Sequence, residues 1–424
     1  MADGNQAYEV TDTLFLWWLQ DPAAPVLIGE LRTARALRGV SLRYAPTWLA
    51  HGVPLSEDLP LQDALFLPAS KDRAPGAVDD ARPDRWGERL IRCIDRPPRL
   101  SLLEYLYFAG DDRFGALGVS TSAQRYAPRQ IGLLPQLADV PTLHALTRKV
   151  LAGEGVSEAD RRLLQPGVTM GGARPKALLA LEGAAWVLKF AEPGDVIDTP
   201  LVEHASMLLA AQAGITVAPT RALALPRGGH AVAVQRFDRL AGGRRLHAQS
   251  AGTALLAAGE ELGYPELAQW LRRRGGAPSD HHPHQLQRCE LFRRMVFNIL
   301  IDNTDDHEKN HALLTQDAQS WWLSPAFDVL PSGQALGYQQ MRVGTAGAES
   351  SLDNALSMCS AFGLSRDQAV AEARTVAAVV DDWQPAFRAA GVSPTDIAQL
   401  AEQLDRPFLR AQRVRPHHLS SGPL

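Results

Sequence analysis

Apolar and polar positions alternate or recur in blocks whose lengths predict a mixed α and β chain. Thr13–Leu19 is an apolar run of strand length, and Val26–Leu31 is a second, with Pro22 and Pro25 between them. Ser41–Tyr44 alternates, and Tyr44–Ala50 reads as a strand end turning into a helix. Lys71–Asp84, rich in Pro, Asp, Ala and Arg, predicts a loop, after which Trp86–Ile94 and Ser101–Phe108 resume helical spacing. A loop follows at Gly110–Gly115.

Further along, Ala177–Leu181 and Ala185–Phe190 predict two strands around a Glu182-Gly183 turn. Val202–Ala213 has helical spacing and stops at Gly214, a residue suited to the left-handed end of a helix. Ile215–Leu225 and His230–Phe237 predict two more strands, joined at Pro226–Gly229. From about 241 onward the pattern is mainly helical, with a hairpin expected between His311 and Phe327 and a frayed polar tail from Arg413. These blocks divide the chain into 1–125, 126–240 and 241–424.

Composition adds little to this division but excludes several classes. With 424 residues, 46% hydrophobic, the chain can bury a sizeable core in more than one domain. A net charge of −4 with 21% charged residues gives no electrostatic case for coating nucleic acid or a membrane. Three scattered cysteines, Cys93, Cys289 and Cys359, argue against a disulfide framework or a thiolate metal site. The polar start and the absence of a long apolar run predict a cytoplasmic protein without a membrane span.

The chemistry is concentrated in Phe297–His311. The apolar, helix-period run Leu291–Ile301 predicts a buried helix that delivers a loop carrying Asp302, Asp305, Asp306, His307, Lys309 and Asn310. Polar groups gathered on a loop at the end of a buried helix point to a ligand. Asp305 and Asn310 stand five apart, the spacing of a phosphotransfer loop in which the carboxylate receives the nucleophile's proton and the amide holds a metal ion. The predicted hairpin then leads to Phe327-Asp328, where protein kinases carry a second metal-binding aspartate in the order Asp-Phe-Gly.

Upstream, Gly171-Gly172-Ala173-Arg174-Pro175-Lys176 precedes a strand. Small residues there let backbone amides approach phosphates, although a plain glycine turn fits the same letters and no Walker A order is present. Lys189 lies alone among apolar strand residues. It is either an edge-strand lysine facing water or a buried cation paired with Glu203 of the next helix. Gln235 and Phe237, on a strand leaving the β-rich part, are placed to cover an adenine or are simply connector residues.

Taken together, these segments resemble the HipA family of bacterial serine/threonine kinases. The resemblance rests on 171–176, Val187–Phe190, Val202–His204, Gln235–Arg239, Asn303–Asn310 and Leu323–Pro331, and the N-terminal segment also resembles the family's first subdomain through Tyr44–Ala50, Pro83–Leu90 and Gly110–Val119. It implies a two-lobed, protein-kinase-like α+β fold, with an extra N-terminal subdomain, a β-rich part and a helical C-terminal lobe. It implies ATP and magnesium as cofactors. Asp305 would be the base, and Asn310 and Asp328 the metal ligands. Lys189, Glu203, Gly171, Gly172, Ala173, Arg174, Lys176, Gln235, Phe237, His307 and Lys309 would surround the nucleotide.

The family's members act as toxins on an aminoacyl-tRNA synthetase, glutamyl-tRNA synthetase foremost. They are restrained by a helix-turn-helix antitoxin of the HipB kind, through which alone they meet DNA. They also silence themselves by phosphorylating a loop serine, where this chain has Thr169. Gln235 replaces a glutamate of some members.

Two other classes compete. Asp305-x-His307-x-x-Asn310 also fits small-molecule kinases of the aminoglycoside and choline type. A non-catalytic antitoxin- and DNA-complex subunit is the other, with Arg272–Arg274 as its phosphate contacts, although no helix-turn-helix pattern is present. Asp280-His281-His282-Pro283-His284 reads as a solvated loop rather than a metal site.

Overall fold

The structure is a computed structural model that describes residues 8–129, 132–164, 172–276 and 284–418. The chain forms two compact units. One comprises the residues up to Gly183 together with Asp238–Ala248; the other comprises Ala184–Phe237 and Gln249 onward.

The first unit is built on an antiparallel sheet of β1 (Thr13–Trp18), β2 (Val26–Ala34), β3 (Gly39–Tyr44), β4 (Leu65–Phe66) and β5 (Leu117–Ser120), ordered β4-β3-β2-β1-β5. Leu14, Leu16, Leu31, Val40 and Leu42 are fully buried on it. Gly29 of β2 is required by close approach, because a Cβ there would lie 2.2 Å from the Arg43 carbonyl oxygen. The helix Leu102–Phe108 starts at Ser101, whose hydroxyl accepts from Leu103 N while Glu104 reaches back to Ser101 N. The expected loop Lys71–Asp84 contains a short helix, Ala77–Asp80, closed by Ser56 and Asp79 side chains that bond backbone amides.

The Gly110–Gly115 loop is fixed by buried charge. Arg113 is fully buried and donates to the carbonyls of Ala81, Leu106 and Gly110. Asp238 accepts from Gly115 N at 2.8 Å, and Arg239 donates to Arg113 O at 2.7 Å. Arg245 pairs with Asp111 at 2.9 Å. β6 (Lys176–Leu181) closes this unit's part of the chain, ending at Glu182 and Gly183, both at positive φ.

The second unit carries β7 (Ala184–Phe190), β8 (Thr220–Ala224) and β9 (His230–Gln235), antiparallel, with β9 paired to both others. The helix Thr199–Gln212 precedes Gly214, whose φ of 76° bears out its place at a helix end. β8 is shorter than the apolar run that predicts it, because Thr216–Ala218 is diverted into a parallel bridge. Ala326 N donates to Thr216 O at 2.8 Å, and Ala218 N donates to Ala326 O at 2.9 Å. After β10 (His247–Ser250) the described chain is mainly helical, interrupted by the hairpin of β11 (Ala312–Thr315) and β12 (Trp321–Leu323), which pair through Leu313↔Leu323 and Thr315↔Trp321, and by the irregular stretch 324–351.

The long helix His284–Leu300 is the core of this part. Leu291, Phe292, Met295, Val296, Ile299 and Leu300 are all fully buried, as the apolar period predicts. Of the tail expected to fray from Arg413, the part up to His418 belongs instead to a helix, Pro407–His418, and residues 419–424 lie outside the described residues. Arg413 holds it by donating to Leu404 O at 2.7 Å and to Asp405 at 2.6 Å. Gln412 adds bonds to Leu352 N and Ser350 O.

Candidate active site

Lys189 sits on β7 opposite Val232 of β9, with its side chain 9% exposed. Its ammonium lies 2.6 Å from Glu203 Oε1 and 2.5 Å from Asp328 Oδ1. The water-facing alternative is thereby closed. Burial alone would push the ammonium down, but Asp328 and Glu203 outweigh it and hold the group well above its ordinary value. Glu203 itself is 3% exposed, so the carboxylate and the ammonium depend on each other for compensation.

The loop bearing Asp305 begins where the long helix stops. Asp302 stops it by taking a left-handed conformation, φ 54°, and is held there by Gln403 Nε2 at 2.7 Å and Arg406 at 2.9 Å. Asn303 turns back to Asn298 through both its backbone N and its side-chain amide. Thr304 is tied to Ser332 by hydroxyl contact at 2.6 Å. Asp305 projects from this frame as an exposed carboxylate, while Asp306 beside it is buried.

Asp306 accepts from the Tyr264 hydroxyl and from His311 Nε2, both on its Oδ2, the latter at 2.8 Å. Burial would raise its carboxyl, yet His311 and Tyr264 outweigh burial and hold it below the usual carboxylate range. His307 accepts from Lys309 N and so starts the short turn Glu308–Asn310. Lys309 is exposed. Asn310 is buried, and its Oδ1 has no hydrogen-bond partner among the described residues.

Asp328 also takes a left-handed backbone, φ 60°, at some conformational cost for a residue with a Cβ. The segment before it is over-determined. Arg294 donates to Ser324 O at 2.8 Å, Ala326 is bridged to Thr216–Ala218, and Phe327 packs against Phe237 with centroids 5.4 Å apart. Asn310 lines a small cavity with Asn298, Phe327 and Val329, the last two flanking Asp328. A carboxylate and an orphaned buried amide oxygen fit magnesium, which takes oxygen ligands and commonly keeps few from protein.

Gln235 ends β9 opposite Trp186, its backbone N bonded to Pro219 O. Gly172 and Ala173 are exposed and Arg174 half-buried. Lys176 is buried, with its ammonium 2.5 Å from Asp84 Oδ2. Thr169, Gly171 and Asp280–Pro283 lie outside the described residues. Arg272–Arg274 are exposed on the helix Tyr264–Arg274, as a solvated face requires.

Sequence reasoning gave no role to Tyr264, His311, Arg294, Gln403 or Arg406. They act through contacts distant in sequence, and only the fifth-residue spacing of Asp306 and His311 offered a local signal. Among the described residues no helix is long and apolar enough to cross a membrane.

Residues 168–383 match the HipA-like C-terminal domain, and residues 23–120 match the HipA N-terminal domain. The chain belongs to the HipA family. That makes it a serine/threonine protein kinase of the HipA-like toxin class, using ATP. Its fold resembles that of a HipA protein from Shewanella oneidensis MR-1, solved with HipB and operator DNA. That likeness has a TM-score of 0.66 at 16% identity and covers 97% of this chain and 100% of that one. The Helicobacter pylori proinflammatory kinase CtkA aligns over 59% of this chain and 94% of its own, at 11% identity and a TM-score of 0.37. The HipA assignment agrees with the order of motifs from 171–176 through Leu323–Pro331.

Proposed function

We propose that this HipA-family kinase transfers the γ-phosphoryl group of ATP to a serine or threonine of a protein target, with Asp305 as base and Lys189, Asn310 and Asp328 as its phosphate and metal machinery. The observation that carries the reading is the bonding of Lys189 to both Glu203 and Asp328. A kinase lysine must be fixed by a helix glutamate to meet the α- and β-phosphates, and the metal-binding aspartate must stand nearby.

Each residue then has a task. Asp305, exposed on a braced loop, accepts the proton of the attacking hydroxyl. Asn310 and Asp328 offer oxygen to magnesium, which when bound neutralises charge on the phosphates. Lys189 orients the Asp328 carboxylate. Gln235 and Phe237 are assigned to the adenine, Gly171–Arg174 to the phosphates through backbone amides, and His307 and Lys309 to the loop's nucleotide side.

The same reading makes the protein a cytoplasmic toxin whose target is an aminoacyl-tRNA synthetase, with glutamyl-tRNA synthetase the first to try. A HipB-like antitoxin would restrain it, as HipB accompanies the Shewanella protein. Thr169 would be its self-phosphorylation site. The test is incubation with labelled ATP, magnesium and a panel of aminoacyl-tRNA synthetases. Label on one synthetase supports the reading. Label only on small alcohols, or on no acceptor, contradicts it.

A further inference from the structure

The buried pair of Lys176 and Asp84 is not used by the chemistry above. Lys176 closes the glycine loop at its strand end. Its side chain is 2% exposed and that of Asp84 6%. The ammonium lies 2.5 Å from Asp84 Oδ2 and 3.4 Å from Gly172 O. Its backbone carbonyl accepts from Trp86 Nε1 at 2.7 Å. Asp84 in turn starts the helix Arg85–Leu90 by accepting from Gly87 N at 2.8 Å. Gly172 stands at φ 93°, a backbone conformation that glycine adopts without the cost of a Cβ.

We infer that Asp84 is a positioning residue for nucleotide binding: it holds Lys176, and Lys176 holds the root of the phosphate loop. Lys176 therefore acts on the nucleotide through the loop's backbone. The inference rests on the reading that Gly171–Arg174 covers the phosphates. Its logic is chemical. The Lys176 ammonium is enclosed between the Asp84 carboxylate and the Gly172 carbonyl, so it joins the start of the helix Arg85–Leu90 to the loop backbone. An enclosed pair fixes geometry, and a loop of small residues offering backbone amides gains affinity when its shape is set beforehand.

The experiment is a double-mutant cycle on the full chain with Asp84→Asn, Lys176→Met and both together, reading KM for ATP and kcat separately. Each single change is expected to raise KM for ATP about tenfold with kcat little altered, and the double variant to be no worse than either single. Losing both charges leaves neither one buried alone, so the double variant also serves if a single variant folds poorly. In that event a tenfold rise in its KM supports the inference, and a wild-type KM overturns it. An unchanged KM in Asp84→Asn beside a raised KM in Lys176→Met overturns it, as do additive effects, since both would mean that Lys176 meets phosphate without Asp84. If all three keep wild-type KM while Lys189→Met abolishes transfer, this inference fails and the kinase reading stands. If wild-type protein with magnesium binds no ATP, the kinase reading itself fails.

Discussion

Lys189 Nζ lies 2.5 Å from Asp328 Oδ1, across 139 positions of sequence, and the same ammonium lies 2.6 Å from Glu203. One strand cation thus serves two carboxylates from different elements, and its removal has two separable effects. Lys189→Met removes the cation that compensates the buried Glu203 carboxylate, which should cost about 3–5 kcal/mol of stability. Adding Glu203→Gln should restore much of that stability without restoring phosphoryl transfer. Urea denaturation and turnover of the two variants check this. Because the ammonium is held above its ordinary value, the pair's contribution is complete at neutral pH and is lost only as pH rises past about 10.4.

Tyr264→Phe removes one of the two donors to the buried Asp306 carboxylate. The expected loss is about 1–3 kcal/mol in denaturant melts. Turnover should fall with KM for ATP nearly unchanged, because Asp306 adjoins Asp305 and braces the loop. Since Asp306 is held below the usual carboxylate range, its bonds persist above that range and fail only as pH drops through its lowered value.

His247, fully buried with Nε2 3.0 Å from Leu55 O and its ring 5.0 Å from Trp18, is pushed down to about 4 by burial. The unfolded chain takes up its proton first, so stability falls as pH drops from about 6.5 toward 4, by about 3 kcal/mol. Urea midpoints at neutral pH and near the lower end of that window should differ less in His247→Gln than in wild type.

Asn310→Ala and Asp328→Ala should each abolish the magnesium-dependent part of the ATP-induced melting shift. Binding to the native state alone raises its melting point, so the shift reports metal-assisted binding directly. A shift of wild-type size in Asp328→Ala would remove that residue from the metal site.

Local pattern made much of this molecule legible. The buried helix ahead of Asp305, the hairpin ahead of Asp328 and the lysine strand followed by a glutamate helix all follow from periods of two and 3.6 residues. What the letters withheld are partnerships between distant segments. Nothing near Asp302 announces Gln403 and Arg406, and nothing near Lys176 announces Asp84. The run Ile215–Leu225 overstated a strand because Thr216–Ala218 is claimed by Ala326, and the Arg413 tail was underestimated because its cation is buried against Asp405. Spacing could suggest Lys189 with Glu203, but not that Asp328 shares the same ammonium.

The most direct measurement of the central claim is phosphoryl transfer from γ-labelled ATP to a protein acceptor by wild-type protein and by Asp305→Asn, with nucleotide binding followed alongside. The account predicts that the variant binds ATP as wild type does and transfers about 10²-fold less label or lower still. Transfer at the wild-type rate by Asp305→Asn would contradict it.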